Sequence, residues 1–232
     1  ITTVCTNFKV HTFTGPGTFC VSNAGNSGGS NTVDYLVIAG GGSSSQGGGS
    51  YAGAGGGAGG YRFSDGTASG CYSAGPSPLG ASALPVSIQG YPITVGAGGA
   101  RVPGCNEQPG LQGANSIFST ITSTGGGAGR MSYPSIPSGP DTANGGSGGG
   151  GAAPWGSVGS SNTSVTGGAG NTPPVSPSQG NTGGTTPTNN NAAAGGGGAG
   201  AVGGDSPGAG NGGAGGAGLA STITGSPVTR AG

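Results

Sequence analysis

Five acidic residues, Asp34, Asp65, Glu107, Asp141 and Asp205, are the carboxylates of this chain. They stand far apart in sequence, so no general acid–base pair can be drawn from them. The single histidine, His11, lies in a Val-, Thr- and Phe-rich stretch with no partner in view, and surface or hairpin packing is expected of it. No nucleophile–base constellation can be assembled, so no catalytic residues are assigned and the chain is not expected to be an enzyme. Four cysteines, Cys5, Cys20, Cys71 and Cys105, include no Cys-x-x-Cys, and one histidine leaves no zinc set. Neither a metal nor a cofactor is expected. Gly-x-Gly-x-x-Gly strings occur, but none opens a helix in a strand–helix–strand unit with a downstream acid, the context that would make it a nucleotide site.

The side chains better suited to recognition are Trp155 and Tyr133, both in polar loop sequence. Aromatics are favoured at binding hot spots, and Pro154 would stiffen the presentation of Trp155. The competing role for Trp155 is to cap a small satellite core. Asn189, Asn190 and Asn191 would add adaptable polar contacts.

Such residues must be positioned by the rest of the chain, and its composition is unusual. Glycine supplies 63 of 232 residues, about fourfold over average usage. Apolar residues make up 30% and charged residues 4%, with five basic and five acidic residues cancelling. This fits neither an ordinary globular domain nor a highly charged disordered one. Lys9, Arg62, Arg101, Arg130 and Arg230 are spread singly, leaving no basic patch to track a phosphate backbone, so no nucleic-acid partner is expected. The longest apolar stretch, Tyr35-Leu-Val-Ile-Ala39, falls far short of the ~20 residues of a membrane span, and no membrane insertion is expected. Runs such as Gly40–Gly42 and Gly148–Gly151 break the strict triplet of collagen. Ile1 in place of an initiator methionine suggests a chain processed or truncated at its start.

Conventional structure is expected mainly in the first forty residues. Thr3 to Phe13 and Thr18 to Val21 flank Thr14-Gly-Pro-Gly17, a hairpin signature, and Val33–Ile38 predicts a third strand. A second hairpin is predicted from Leu84–Ile88 and Tyr91–Val95 through Gln89-Gly90, with a further short strand at Asn115–Ile121. From residue 122 onward, glycine clusters alternate with loops rich in Pro, Ser, Thr and Asn, at 131–144, 153–166 and 171–194. The expected division is a β attachment region at 1–39 and a glycine-rich region at 40–232 with a β-hairpin insertion near 84–95.

A glycine run buries no side chain and loses the most entropy on ordering. It can be ordered as an extended threefold helix of polyproline II type, in this case polyglycine II, whose outward N–H and C=O groups pair with those of neighbouring runs. At ~3.1 Å per residue, runs of six to eleven residues would be about 20–35 Å long. The expected fold class is therefore mostly irregular with minor β: a small N-terminal β region followed by a bundle of packed polyglycine II helices joined by loops.

An even number of cysteines in a chain with little core fits disulfide staples and an oxidising, extracellular setting; four unpaired thiols are the alternative. Cys71 and Cys105 flank the 84–95 hairpin, so a bond between them would close that excursion, and Cys5 with Cys20 follows by elimination.

Phe13-Thr-Gly-Pro-Gly-Thr-Phe19, Val33-Asp-Tyr-Leu-Val-Ile-Ala-Gly-Gly-Gly42, Gly55-Gly-Gly-Ala-Gly-Gly-Tyr-Arg62 and Ile93-Thr-Val-Gly-Ala-Gly-Gly99 occur in that order. Leu219-Ala-Ser-Thr-Ile-Thr-Gly225 and Val228–Gly232 follow. The series resembles the glycine-rich domain of bacteriophage tail-fibre and tail-tip adhesin proteins over residues 8–232. The resemblance implies a virion or extracellular location, a host cell-surface receptor of protein or glycan type, other virion fibre proteins as partners, and a homotrimer or a single chain on a trimeric shaft. By that resemblance the loops 131–144, 153–166 and 171–194 would face the receptor. The alternative is a secreted extracellular structural or ice-binding protein, since glycine-rich bundles with disulfides also occur among springtail antifreeze proteins. The long irregular loops and the missing triplet register argue against the flat repetitive face an ice binder needs.

Overall fold

The computed structural model describes residues 1–4, 8–25, 30–47, 52–65, 80–102, 108–131, 142–153, 164–187, 192–208 and 210–232. Among them, β1 (Thr2–Val4) pairs with β2 (Phe8–Val10), both antiparallel. A four-stranded sheet runs in the order β11 (Ile121–Ser123), β10 (Ser116–Phe118), β9 (Gly90–Thr94) and β3 (Gly17–Cys20). The pair β4 (Thr32–Val33) and β8 (Leu84–Pro85) is separate. A third group joins β5 (Leu36–Ile38), β6 (Tyr61–Ser64) and β7 (Gly80–Ala81), and β12 (Leu219–Ser221) pairs with β13 (Val228–Arg230).

Neither expected hairpin forms. Thr3–Phe13 folds back on itself as β1–β2, and β3 pairs with β9, Phe19 standing opposite Tyr91. That register packs the half-buried Phe19 against Tyr91 and Phe118, with ring centroids 6.5 and 5.8 Å apart, contacts that the Thr- and Lys-bearing first strand could not offer. At 84–95, the Tyr91 hydroxyl accepts the Ser87 N–H at 2.8 Å. Residues 86–89 therefore bend instead of forming a ladder, and β8 and β9 pair outward. Residues 1–39 are thus tied by sheets to 84–94. The strand expected at Val33–Ile38 is two short ones, and that at Asn115–Ile121 is the first arm of the β10–β11 hairpin.

The β5–β6 pair separates two cores. Alternation along β5 sends Val37 into the first, with Tyr35, Val86, Tyr91 and Phe118, and sends Leu36 and Ile38 towards the second. Tyr61 and Phe63 of β6 fill the second with Ala199 and Leu219, their rings edge to face at 5.5 Å.

The expected bundle of packed helices is not the fold. No helix occurs among the described residues, and their regular elements are short strands in five small, mostly antiparallel sheets. The glycine runs between them are extended segments outside any named element, held by backbone hydrogen bonds to other segments. In 146–151, for example, Ser147 and Gly150 donate to Ala58 and Gly55, while Gly148 and Gly151 donate to Asn181 and Gly184. Successive donors serve different neighbours, so no two segments share the continuous ladder that would make a strand, and none bonds within itself as an α-helix does. Where Val, Tyr and Phe return to the sequence, side-chain packing favours pairing, and the sheets form there.

Close approach is what requires glycine in these segments. A Cβ on Gly148 would strike the Gly168 carbonyl, and one on Gly195 would strike that of Ala214. Alanine enters where it replaces nothing larger: Ala54, Ala128, Ala192 and Ala199 are all fully buried.

Candidate functional site

The direction of the glycine segments gives the molecule two unlike ends. Residues 40–46, 96–101, 125–130, 146–153, 180–187 and 203–206 run away from the strands, and 52–60, 108–115, 164–171, 192–199 and 211–218 return, as their hydrogen-bond registers show. The described residues that border 48–51, 103–107, 154–163 and 188–191, with Met131 before 132–141, therefore meet at the end remote from the sheets, while Thr142 lies lower along the framework, its carbonyl accepting the Ala128 N–H.

Backbone bonds knit these borders together. Gln46 donates to the Gln108 carbonyl at 2.9 Å, and Ala153 to that of Ala192 at 2.9 Å. Val165 and Thr186 exchange bonds of 3.2 and 3.0 Å, and Ser206 donates to the Thr185 carbonyl. Side chains add to the rim. Buried Ser45 donates its hydroxyl to the Arg130 carbonyl at 3.0 Å and accepts the Ala54 N–H at 2.8 Å. The Arg130 guanidinium donates to the Thr166 carbonyl at 3.0 Å, tying the root of one excursion to the root of the next. Asp205 accepts the Thr185 N–H at 2.7 Å.

The opposite end is closed by side chains. Asn171, at φ 50°, accepts from the Val175 and Gln179 N–H groups through its Oδ1. Gln179 is 1% exposed. Its amide accepts the Thr124 N–H at 2.8 Å and donates to the Thr124 hydroxyl and the Pro173 carbonyl, both at 3.2 Å. Its main-chain carbonyl receives the Tyr61 N–H. The expected loop 171–194 is thus two features: 171–180 is packed beside the sheets, and only the residues around 187–192 border the remote end.

Tyr133, Trp155, Asn189, Asn190 and Asn191 lie outside the described residues, as do Cys5, Cys71 and Cys105. Cys20, on β3, is exposed with a free thiol, so no disulfide forms at it in the structure. The described borders nonetheless bring together the roots of the segments carrying Tyr133, Trp155 and the three asparagines. Arg130, Thr166, Ser45 and Gln46 belong to this rim. Nothing in their local sequence marks them, because an isolated Arg or Ser gains its role from a neighbour 36 or 85 residues away.

No ionisable cluster is built here. Among the described residues, no group of three His, Cys, Asp or Glu side chains could hold a metal ion, and no helix is long and apolar enough to cross a membrane. The perturbed groups are tyrosines by the sheets. Burial pushes the Tyr35 hydroxyl upward, countered by Arg62 and reinforced by Asp65. Burial likewise raises Tyr61, with Ser221 and Arg230 countering; its hydroxyl is buried without a well-formed hydrogen bond among the described residues. Tyr91 is lowered by hydrogen bonds from Ser87 and Gln89.

No curated protein and no solved structure matches this chain. The family model described as the glycine-rich domain matches residues 14–232. That span takes in the four-stranded sheet, both cores and every glycine segment, and the chain belongs to the glycine-rich domain family.

Proposed function

We propose that the chain is a tail-fibre or fibre-tip adhesin module of a bacteriophage, presenting loop residues to a receptor on the host cell surface. Its setting would be the virion, where it works beside other fibre proteins as a homotrimer or as one chain on a trimeric shaft. The observation that carries the reading is the convergence of Met131, just before 132–141, and the borders of 154–163 and 188–191 at one end, away from the sheets. The glycine segments tolerate almost no side chains, so chemical diversity is concentrated between them. A rigid framework beneath such segments limits the ordering entropy lost on binding. The order of glycine motifs, which resembles that of phage fibre proteins, supports the same reading. Tyr133 and Trp155 serve as aromatic anchors, with Asn189, Asn190 and Asn191 as polar contacts.

The test uses fluorescently labelled protein on a panel of bacterial isolates, read by flow cytometry. Binding to a subset of strains is expected, falling roughly thirtyfold in Trp155→Ala and Tyr133→Ala, the loss of hot-spot contacts, with an unchanged circular-dichroism spectrum. Equal binding by both variants, or no strain bound, overturns the proposal; thermal hysteresis by the same protein would establish the ice-binding alternative.

A further inference from the structure

A groove of about 300 Å³ runs along the side of the glycine framework. Its walls are residues 53–58 and 212–215, its floor is 193–197, and Gly232 closes one end. Glycine and alanine alone line it, so its polar groups belong to the backbone. In 53–60, Ala54, Gly57 and Gly60 donate on one side, to Ser45 Oγ of 40–46 and to the carbonyls of Gly127 and Thr124. Gly55 and Ala58 donate towards a second, to Ala194 and Gly197. Gly53 and Gly56 are left over, and both line the groove.

The floor repeats this pattern. Ala194 and Gly197 donate to Gly151 and Gly148, and Gly195 and Gly198 donate to Gly204 and Ala201. The third direction belongs to Ala193, Gly196 and Ala199. Of these, Ala199 donates to the Ala231 carbonyl at 2.8 Å, so the chain's own Ala231, which turns there at φ 59°, already supplies the acceptor for the first register of the groove. Gly196 lies three residues further in; it is buried, and among the described residues no hydrogen bond reaches its N–H. A buried, unpaired amide is rare in a finished structure.

We infer that this groove is a docking slot for one extended, glycine-rich peptide segment supplied by another polypeptide, carrying no side chain larger than alanine. Interior slots of the framework are filled by extended segments made mostly of glycine that pair backbone to backbone, and the Ala231 carbonyl on Ala199 shows how an acceptor is seated on this floor. The occupant accepts the Gly196 and Gly56 N–H groups through its carbonyls. A larger side chain is excluded by the backbone walls, as it is at Gly148. The inference is independent of the adhesin reading.

Amide exchange measured by NMR tests it. The probe is a blocked decapeptide of glycine with alanine at every third position, added in excess to the full chain. Exchange at Gly56 and Gly196 should slow roughly tenfold, the size expected for one new hydrogen bond at each site, and the valine-for-alanine peptide should have no effect. Gly215 has open space where a Cβ would stand, so Gly215→Val should fold normally, narrow the slot and abolish the protection. A remote control, Gly15→Val, also into open space, should keep it. No protection in the wild type, equal protection by the valine peptide, or protection surviving in Gly215→Val overturns the inference. So does self-association that occludes Gly56 and Gly196 without peptide, which would make a second copy the occupant.

Discussion

The two cores beside the sheets and the glycine framework beyond them are ordered by opposite kinds of contact. In the first, Phe19, Tyr91 and Phe118 meet edge to face or tilted, and side-chain burial decides which short strands pair. In the framework there is almost nothing to bury. Order comes from backbone donors sent in turn to different neighbours, at separations that exclude a Cβ. A core can trade one apolar side chain for another of similar volume, whereas a backbone lattice has no atom to give up. The two regions should therefore respond differently to the same size of change.

The largest effect is expected from adding a side chain to the lattice interior. Gly148→Val places its branched side chain on the Gly168 carbonyl. The obstacle is backbone on every side, so the cost should exceed the usual overpacking of about 1–3 kcal/mol, and thermal denaturation should show no cooperative transition. Gly215→Val is the matched control on the open edge and should stay within about 0.5 kcal/mol of wild type. Equal tolerance of both substitutions would show that the framework is not close-packed, and the contrast between the regions would collapse.

Phe118→Ala should rank next. It removes the ring that Phe19 and Tyr91 share, costing about 3–5 kcal/mol by calorimetry, while amide protection at Gly148 and Gly197 persists under native conditions. Loss of protection in both regions together would mean that they unfold as one unit.

The smallest effect is a pH dependence confined to the sheets. Tyr61 and Tyr35 are both raised above the ordinary phenol value by burial. The folded state therefore holds their protons more tightly than the unfolded state. Their contribution is complete below about pH 10 and is lost as pH rises through the folded values. Tyr91, lowered by its Ser87 and Gln89 hydrogen bonds, works in the opposite sense and softens the decline. Denaturant midpoints at pH 9 and 11 should fall for wild type and fall less for Tyr61→Phe. An unchanged wild-type midpoint would remove burial as the cause.

Much of the strand content was legible: Tyr35–Ile38, Tyr91–Thr94 and Ser116–Phe118 are short, β-branched and aromatic, and each ends near a glycine run. Their partners were not. Proline–glycine and glutamine–glycine turns favour local hairpins, but Phe19 and Tyr91, 72 residues apart, gain more from each other than from their chain neighbours. The remote end was partly legible, since polar segments between glycine runs had to connect them. Which end each would occupy was hidden: 171–180 lies by the sheets because Gln179 finds Thr124 and Pro173 there.

The sequence by itself determined that side-chain burial could hold only a small part of this chain, and that the rest had to satisfy its backbone against itself. It also placed Tyr133, Trp155, Asn189, Asn190 and Asn191 between glycine runs. Tertiary structure alone decided the pairing of strands, the helix-free character of the described residues, the gathering of loop borders at one end and the open groove between 53–58 and 212–215. The reason is that a glycine N–H carries no address. Any extended neighbour can accept it, so the choice among partners is made only when all the segments are packed together.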